Sequence, residues 1–114
     1  MKKLLLILFL LSTTVSFSQT IDCEEYDLCV VEFNASFNET NKTEWLNELT
    51  DCGVKRISID KGEWKAKFKI FAVPTIIIFN GEEVERFSPN IMMQVEATRE
   101  DVQNAIDEIL MESF

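Results

Sequence analysis

Apolar and polar positions alternate in distinct rhythms along the chain, and each rhythm predicts an element. Cys29 to Ala35 is rich in β-branched and aromatic residues and predicts a strand. Asn41 stands three residues before Glu44 in a capping-box arrangement, and Trp45, Leu46, Leu49 and Cys52 then fall at helical spacing until Gly53 supplies a stop. This predicts an amphipathic helix. Val54 to Ile59 is the next strand. Asp60 and Glu63 have the spacing of an N-cap and its N3 partner, and Trp64, Phe68 and Phe71 follow at i, i+4 and i+7, with Lys61, Lys65, Lys67 and Lys69 between them. A second amphipathic helix follows, its aromatic stripe read as core packing rather than as a ligand platform. Pro74 ends that region and opens Thr75 to Phe79, a run apolar enough to be buried on both faces. Asn80-Gly81 is a hairpin signal, and Glu82 to Phe87 is the returning strand. Thr98 and Asp101 frame a last helix carrying Val102, Ala105, Ile106, Ile109 and Leu110 on one face. The order is β-α-β-α-β-β-α, with no internal repeat and no second domain.

The first 28 residues follow a different logic. Lys2 and Lys3 precede an unbroken apolar run from Leu4 to Leu11, and Ser16-Phe17-Ser18 places small residues where a signal peptidase reads. Residues 1–18 are therefore expected to be a cleaved secretory signal peptide. The apolar run is short against the roughly 20 residues of a spanning helix, so no stable membrane insertion is expected after cleavage. Residues 19–28 read as an extended, acidic lead-in, and 29–114 as the folded domain. Export to a periplasm or the exterior follows from the signal.

Charge narrows the partners. Eleven basic residues stand against twenty acidic ones, a net charge of −9 that deepens once Lys2 and Lys3 are removed. Such a surface repels phosphate backbones, so nucleic acid is not an expected partner. The chain has no histidine, which removes the usual general base, the Ser-His and Cys-His nucleophile pairs and histidine-ligated metals. No cofactor and no metal site are expected.

The layout of Val30-Val31-Glu32-Phe33-Asn34-Ala35, the turn that follows it, and a later Val73-Pro74-Thr75 step opening an apolar strand resembles the thioredoxin family. The resemblance covers about Cys29 to Leu110 and implies a thioredoxin-like α/β fold, a central mixed sheet flanked by helices, with parallel pairing across the helical crossovers and an antiparallel edge. It also implies a site. The family carries two cysteines, two residues apart, in the turn after the first of these strands; here the matching stretch is Asn38-Glu39-Thr40-Asn41. An amide cannot act as a thiolate nucleophile, so standard dithiol-disulfide exchange is not expected. Asparagine is a good helix cap, which gives these residues a structural role. Phe37 matches the aromatic before the family's first cysteine, Glu32 its buried carboxylate and Arg56 that carboxylate's basic neighbour, which implies a buried or half-buried ion pair. Pro74 matches the family's cis-proline. A peptide groove lined by Phe37, Val73, Pro74 and Phe87 is implied, with Ile91-Met92-Met93 as a possible adaptable wall. Ser88 to Ala97 is longer than the family's usual connection.

Cys23, Cys29 and Cys52 remain. In an exported chain two of the three should pair. The strand from Cys29 and the predicted helix back to Cys52 have similar lengths, about 20 Å, so both cysteines finish at the pole opposite Asn38–Asn41, near Cys23. Which two pair is left open by the sequence. Three sequons, at Asn34, Asn38 and Asn41, matter only where glycosylation machinery exists. Three functions compete: a non-catalytic module binding a peptide or an exported protein, a thiol-disulfide oxidoreductase or redox-responsive protein using Cys23, Cys29 or Cys52, and a structural or inhibitory partner that docks through the acidic surface.

Overall fold

Strict two-residue alternation along two strands builds both faces of the sheet. The structure, a computed structural model, describes residues 21–112, so the expected signal peptide lies outside the described residues. Strand β1 (Cys29–Asn34) turns Cys29, Val31 and Phe33 to one face, and Val30 and Glu32 to the other. Strand β3 (Thr75–Asn80) does the same with Ile77 and Phe79 against Ile76 and Ile78. All these residues are buried, as two covered faces require. With β2 (Gly53–Ser58) and β4 (Glu82–Phe87) the sheet order is β2-β1-β3-β4. Helix α1 (Trp64–Lys67) precedes β3, and α2 (Arg99–Glu112) closes the described chain.

Only one pair of strands is parallel. β1 and β2 run together with Glu32 beside Arg56, whereas β1–β3 and β3–β4 are antiparallel. Parallel pairing across both crossovers was expected, but the helix within the second crossover is too short to carry the chain back along the sheet. Helix α1 is one turn of about 6 Å, against about 20 Å for a six-residue strand. The chain therefore stays at the pole where β2 ends, and β3 starts there and runs back. The sheet remains mixed, as predicted.

The helix expected over Asn41 to Cys52 does not form. Two 3₁₀ turns, Ser36–Asn41 and Glu44–Glu48, stand in its place. The residues that are buried here are Thr43, Leu46, Leu49 and Cys52, a repeat of three. That is the period of a 3₁₀ helix and not of an α-helix. A second cause is a pair of side chains from the sheet. Glu32 Oε2 accepts the Thr43 N–H at 2.6 Å, and Arg56 Nη2 donates to the Thr43 carbonyl at 2.6 Å. Arg56 Nη1 also bonds Glu32 Oε1. The Thr43 carbonyl, which an α-helix capped at Asn41 would use internally, is thus engaged by an ion pair anchored in β1 and β2. Asn41 and Glu44 make no capping box, and Thr43, the residue before the second turn, makes no side-chain cap.

Gly53 is not a helix stop either. The left-handed residue is Asp51, with φ of 66°, and Gly53 opens β2 where any side chain would overlap Cβ and Sγ of Cys23. The lead-in also departs from expectation. It is not extended but turns back between Cys23 and Tyr26, whose N–H reaches the Cys23 carbonyl at 3.1 Å, and it buries Ile21 against the sheet.

The second helix is shorter than its sequence pattern. Asp60 is drawn away from capping: its carboxylate accepts the Ser36 N–H at 3.1 Å, and the Ser36 hydroxyl and N–H hold its pKa below the ordinary value. At the far end Lys69 adopts φ of 55°, and Arg86 donates to the carbonyls of Phe68 and Lys69, both at 2.8 Å. Phe68 still packs as predicted, between Phe33 at 5.4 Å and Phe79 at 5.5 Å, with Trp64 stacked on it. Phe71 does not, because the left-handed turn breaks the period before it and leaves it 87% exposed. Elsewhere the signals hold. Gly81, with φ of 83°, makes the hairpin reversal, and Thr98 and Asp101 form a reciprocal capping box at 2.9 and 3.1 Å.

The ion pair sets a stability expectation. The Glu32 side chain is 2% exposed and that of Arg56 33%, so removing the cation strands a buried carboxylate. Arg56→Met should lower unfolding free energy by about 2–4 kcal/mol, somewhat below the loss for a fully buried pair. Thermal denaturation checks this, and an unchanged midpoint would show that the clamp contributes nothing net.

Candidate functional site

The pole where β1 ends and β3 begins gathers every sequence-marked residue except the cysteines, with Phe87 on the far face of the sheet. Chain geometry does this: β1 runs up to Asn34, the first 3₁₀ turn begins at Ser36, and β3 starts from the Val73–Pro74 step, whose peptide bond is cis.

Asn38 and Asn41 are not helix caps. Asn38 is buried and departs from helical geometry at φ −114°, ψ 23°. Its Nδ2 donates to Asn34 Oδ1 and to the Met93 carbonyl, both at 3.2 Å, while Asn34 Nδ2 donates to the Asn38 carbonyl at 3.2 Å. Asn41 Nδ2 donates to Asn38 Oδ1 at 2.9 Å, and Gln94 Nε2 reaches Asn41 Oδ1 at 3.4 Å. A chain of amides thus joins the end of β1 to the loop before α2. Buried amides must be paired, and a ladder in which each group both donates and accepts satisfies them. Glu39 and Thr40 lie outside it, exposed, with Glu39 paired to Lys42 at 3.3 Å.

The loop that the ladder holds is ordered by Asn90, whose Oδ1 accepts the N–H groups of Met92 at 2.8 Å and Gln94 at 3.1 Å. Met93 takes φ of 61°. The result is a protruding apolar tip, with Ile91 98% exposed and Met92 68%.

Between this loop and the segment after α1 lies a groove of about 250 Å³, lined by Phe37, Ile70, Phe71, Val73 and Met93, with Lys65 at its edge. Pro74 is buried beside it. Among the described residues no hydrogen bond takes up the N–H or C=O of Val73. Phe87 is elsewhere. It pairs with Ile76, and the alternation of β3 places it on the opposite face, in the cluster with α2. Phe71 and Ile70 were missed as groove residues from sequence. A signal existed: a residue before proline avoids helical geometry, so the α1 stripe had to end before Pro74.

A second concavity lined by Glu32, Asn34, Lys42 and Arg56 opens beside the clamp, at about 230 Å³. Its charges are already paired with one another or with Glu39.

The thiols lie at the other pole. Cys23 and Cys29 form a disulfide, and Cys52 is free and buried. The β1–β2 register sets Cys29 beside Gly53, which places Cys52 at the same end. The sheet nonetheless divides them: Cys29 packs on the face of Val31 and Phe33, and Cys52 on the face of Val30 and Ile76. Burial, with Asp51 adding repulsion, pushes the Cys52 pKa up to about 11. Asp22, Glu24, Glu25 and Asp27 flank Cys23 in sequence, an environment that disfavours a thiolate. Asn34 and Asn38 are buried, so those two sequons cannot present an acceptor amide. Among the described residues, no cluster of carboxylates and thiols could hold a metal ion, and no helix is long and apolar enough to cross a membrane.

Comparison with solved structures places this architecture. A mutant thioredoxin from Halobacterium salinarum superposes with a TM-score of 0.55 at 23% identity, over 74% of this chain and 75% of that one. Thioredoxin from Fasciola hepatica gives 0.50 at 27% identity, over 71% and 79%. Thioredoxin-2 of the malaria parasite, a component of its protein secretion machinery, gives 0.52 at 18% identity, over 71% and 82%. No protein-family model and no curated relative matches the chain. The chain has a thioredoxin-like fold, with a Cys23–Cys29 disulfide set apart from the position of the family's two-cysteine motif.

Two outcomes follow for these residues. Under native conditions iodoacetamide should leave Cys52 unmodified, while denaturation without reductant should yield one alkylated thiol and denaturation with reductant three, read by intact mass. Asn38→Ala should cost about 1–3 kcal/mol by leaving buried amide partners unmet, measured by urea denaturation.

Proposed function

We propose that this thioredoxin-fold chain is an exported, non-catalytic binding module that holds an extended peptide in the groove beside Val73. The observation that carries this is the pairing of two features at one pole. The positions where the family keeps thiols are filled by Asn38 and Asn41, locked to each other at 2.9 Å, while the neighbouring groove stays open with Phe37 73% and Phe71 87% exposed. Exposed aromatic rings of this size are unusual unless they meet a partner. The backbone N–H and C=O of Val73, which take no hydrogen bond among the described residues, supply a donor and an acceptor that an extended chain can use, with the apolar walls selecting its side chains. Export rests on the charged and apolar pattern of residues 1–18.

A second function is favoured by one feature, the disulfide. Cys23 is only partly buried whereas Cys29 is fully so, which leaves Cys23 Sγ as the atom an incoming thiolate could attack, releasing Cys29 as the leaving thiolate. The surrounding carboxylates oppose that step. A structural staple closing a six-residue separation, worth about 2 kcal/mol, accounts for the bond more simply.

Insulin reduction by dithiothreitol should proceed at its uncatalysed rate in the presence of the protein. Turnover that disappears in Cys23→Ser would establish the redox function and remove the case for a non-catalytic module. In the same preparation, Phe37→Ala and Phe71→Ala should each weaken an apolar peptide about five- to tenfold while leaving the melting temperature unchanged, since neither ring is in the core.

A further inference from the structure

We propose that the groove selects acidic segments, taking a bulky apolar side chain against Phe37, Val73 and Met93 and a carboxylate on Lys65 and Lys69. The proposal rests on the binding-module function above and specifies its ligand.

A shallower concavity lies next to the groove, lined by Gly62, Glu63, Lys65, Ala66, Lys69, Ile70 and Phe71. Lys65, Ile70 and Phe71 belong to both, so the Phe71 ring forms the ridge between an apolar side and a basic side. An extended chain crossing that ridge meets the two chemistries in succession.

The charges of the basic side are available. Among the described residues, ion pairs engage Lys42, Arg56, Arg86 and Arg99, while Lys65 and Lys69 are exposed and neither ammonium has an ion-pair partner. Glu63 shares the concavity, which leaves one net positive charge there. Lys67 is directed elsewhere, 5.7 Å from the Trp64 ring. Lys69 is also held in place: its left-handed backbone is fixed by Arg86, which donates to its carbonyl at 2.8 Å and is tied to Glu83 at 2.8 Å. A net charge of −9 opposes an acidic ligand over the surface as a whole. Two lysines beside an apolar groove at the Phe71 ridge combine attraction with burial, which sets where and in which direction such a ligand docks.

Fluorescence anisotropy of the purified protein with three labelled peptides tests this: one with a Phe-Leu pair followed by two glutamates, its counterpart with glutamines, and its counterpart with lysines. The glutamate peptide should bind about three- to tenfold more tightly than the glutamine peptide and the lysine peptide most weakly, from two partly screened contacts. The glutamate advantage should vanish in Lys65→Gln/Lys69→Gln and shrink at high salt, while that variant keeps its affinity for the glutamine peptide. Equal binding of the glutamate and glutamine peptides would overturn the acid preference and leave the groove standing. Binding of none of the three would overturn both the preference and the groove. Lysine-dependent sedimentation with phosphatidylserine vesicles, in place of peptide binding, would assign the ridge to a membrane surface and overturn the proposal as well.

Discussion

The clamp that Glu32 and Arg56 place on the backbone of Thr43 is the constraint from which the rest of the site follows. Facing each other across the parallel pair β1–β2, the two side chains take the N–H and the carbonyl of one residue, both at 2.6 Å. The Arg56 bond to the Thr43 carbonyl competes with the one that an α-helix would give that carbonyl. The chain after β1 therefore descends in 3₁₀ turns, burying every third residue from Thr43 to Cys52. An acid and base that the family resemblance associates with proton transfer have here become a backbone anchor. Burying the Glu32 carboxylate is costly by itself, and the Arg56 guanidinium and the Thr43 amide offset that cost together.

Upstream of the clamp, the shape of the turn decides what Asn38 and Asn41 can do. With no α-helix beginning there, no dipole or row of free N–H groups converges on position 38, which is where a thiolate would need stabilisation. The buried Asn38 instead bonds Asn34, Asn41 and the Met93 carbonyl directly. At the positions where the family it resembles has thiols, Asn38 and Asn41 form part of a strut between β1 and the loop before α2. That strut fixes Met93 as a wall of the groove, on the side opposite Phe71.

The sequence displays the strands with little ambiguity, because alternation in Cys29–Asn34 and the continuous apolar run of Thr75–Phe79 leave one reading of each, and Thr98 and Asp101 announce α2 by reciprocal capping. Helices between the strands were overread for one physical reason. Residues 43 to 52 and 64 to 71 carry apolar groups at spacings of three and four, and a short run cannot separate a period of 3.6 from one of 3.0. The deciding groups come from far along the chain: Arg56 for the first segment, Arg86 for the second, neither visible to a local pattern. The same limit explains Phe87 and Phe71. One was expected in the groove and packs under α2; the other was expected in the core and lines the groove. The pairing of Cys23 with Cys29 depended on Gly53, whose missing side chain makes room for Cys23 at the sheet edge.

The central claim is that the pole of Asn38 and Pro74 binds and does not react. Titrating isotopically labelled protein with the acidic peptide and following backbone amide shifts by NMR addresses it residue by residue. The account predicts that the largest shifts fall on Phe37, Lys69, Phe71, Val73 and Met93, with Cys23, Cys29 and Gly53 unmoved. Shifts concentrated around Cys23, Cys29 and Gly53, with the groove silent, would contradict it and return the function to the disulfide.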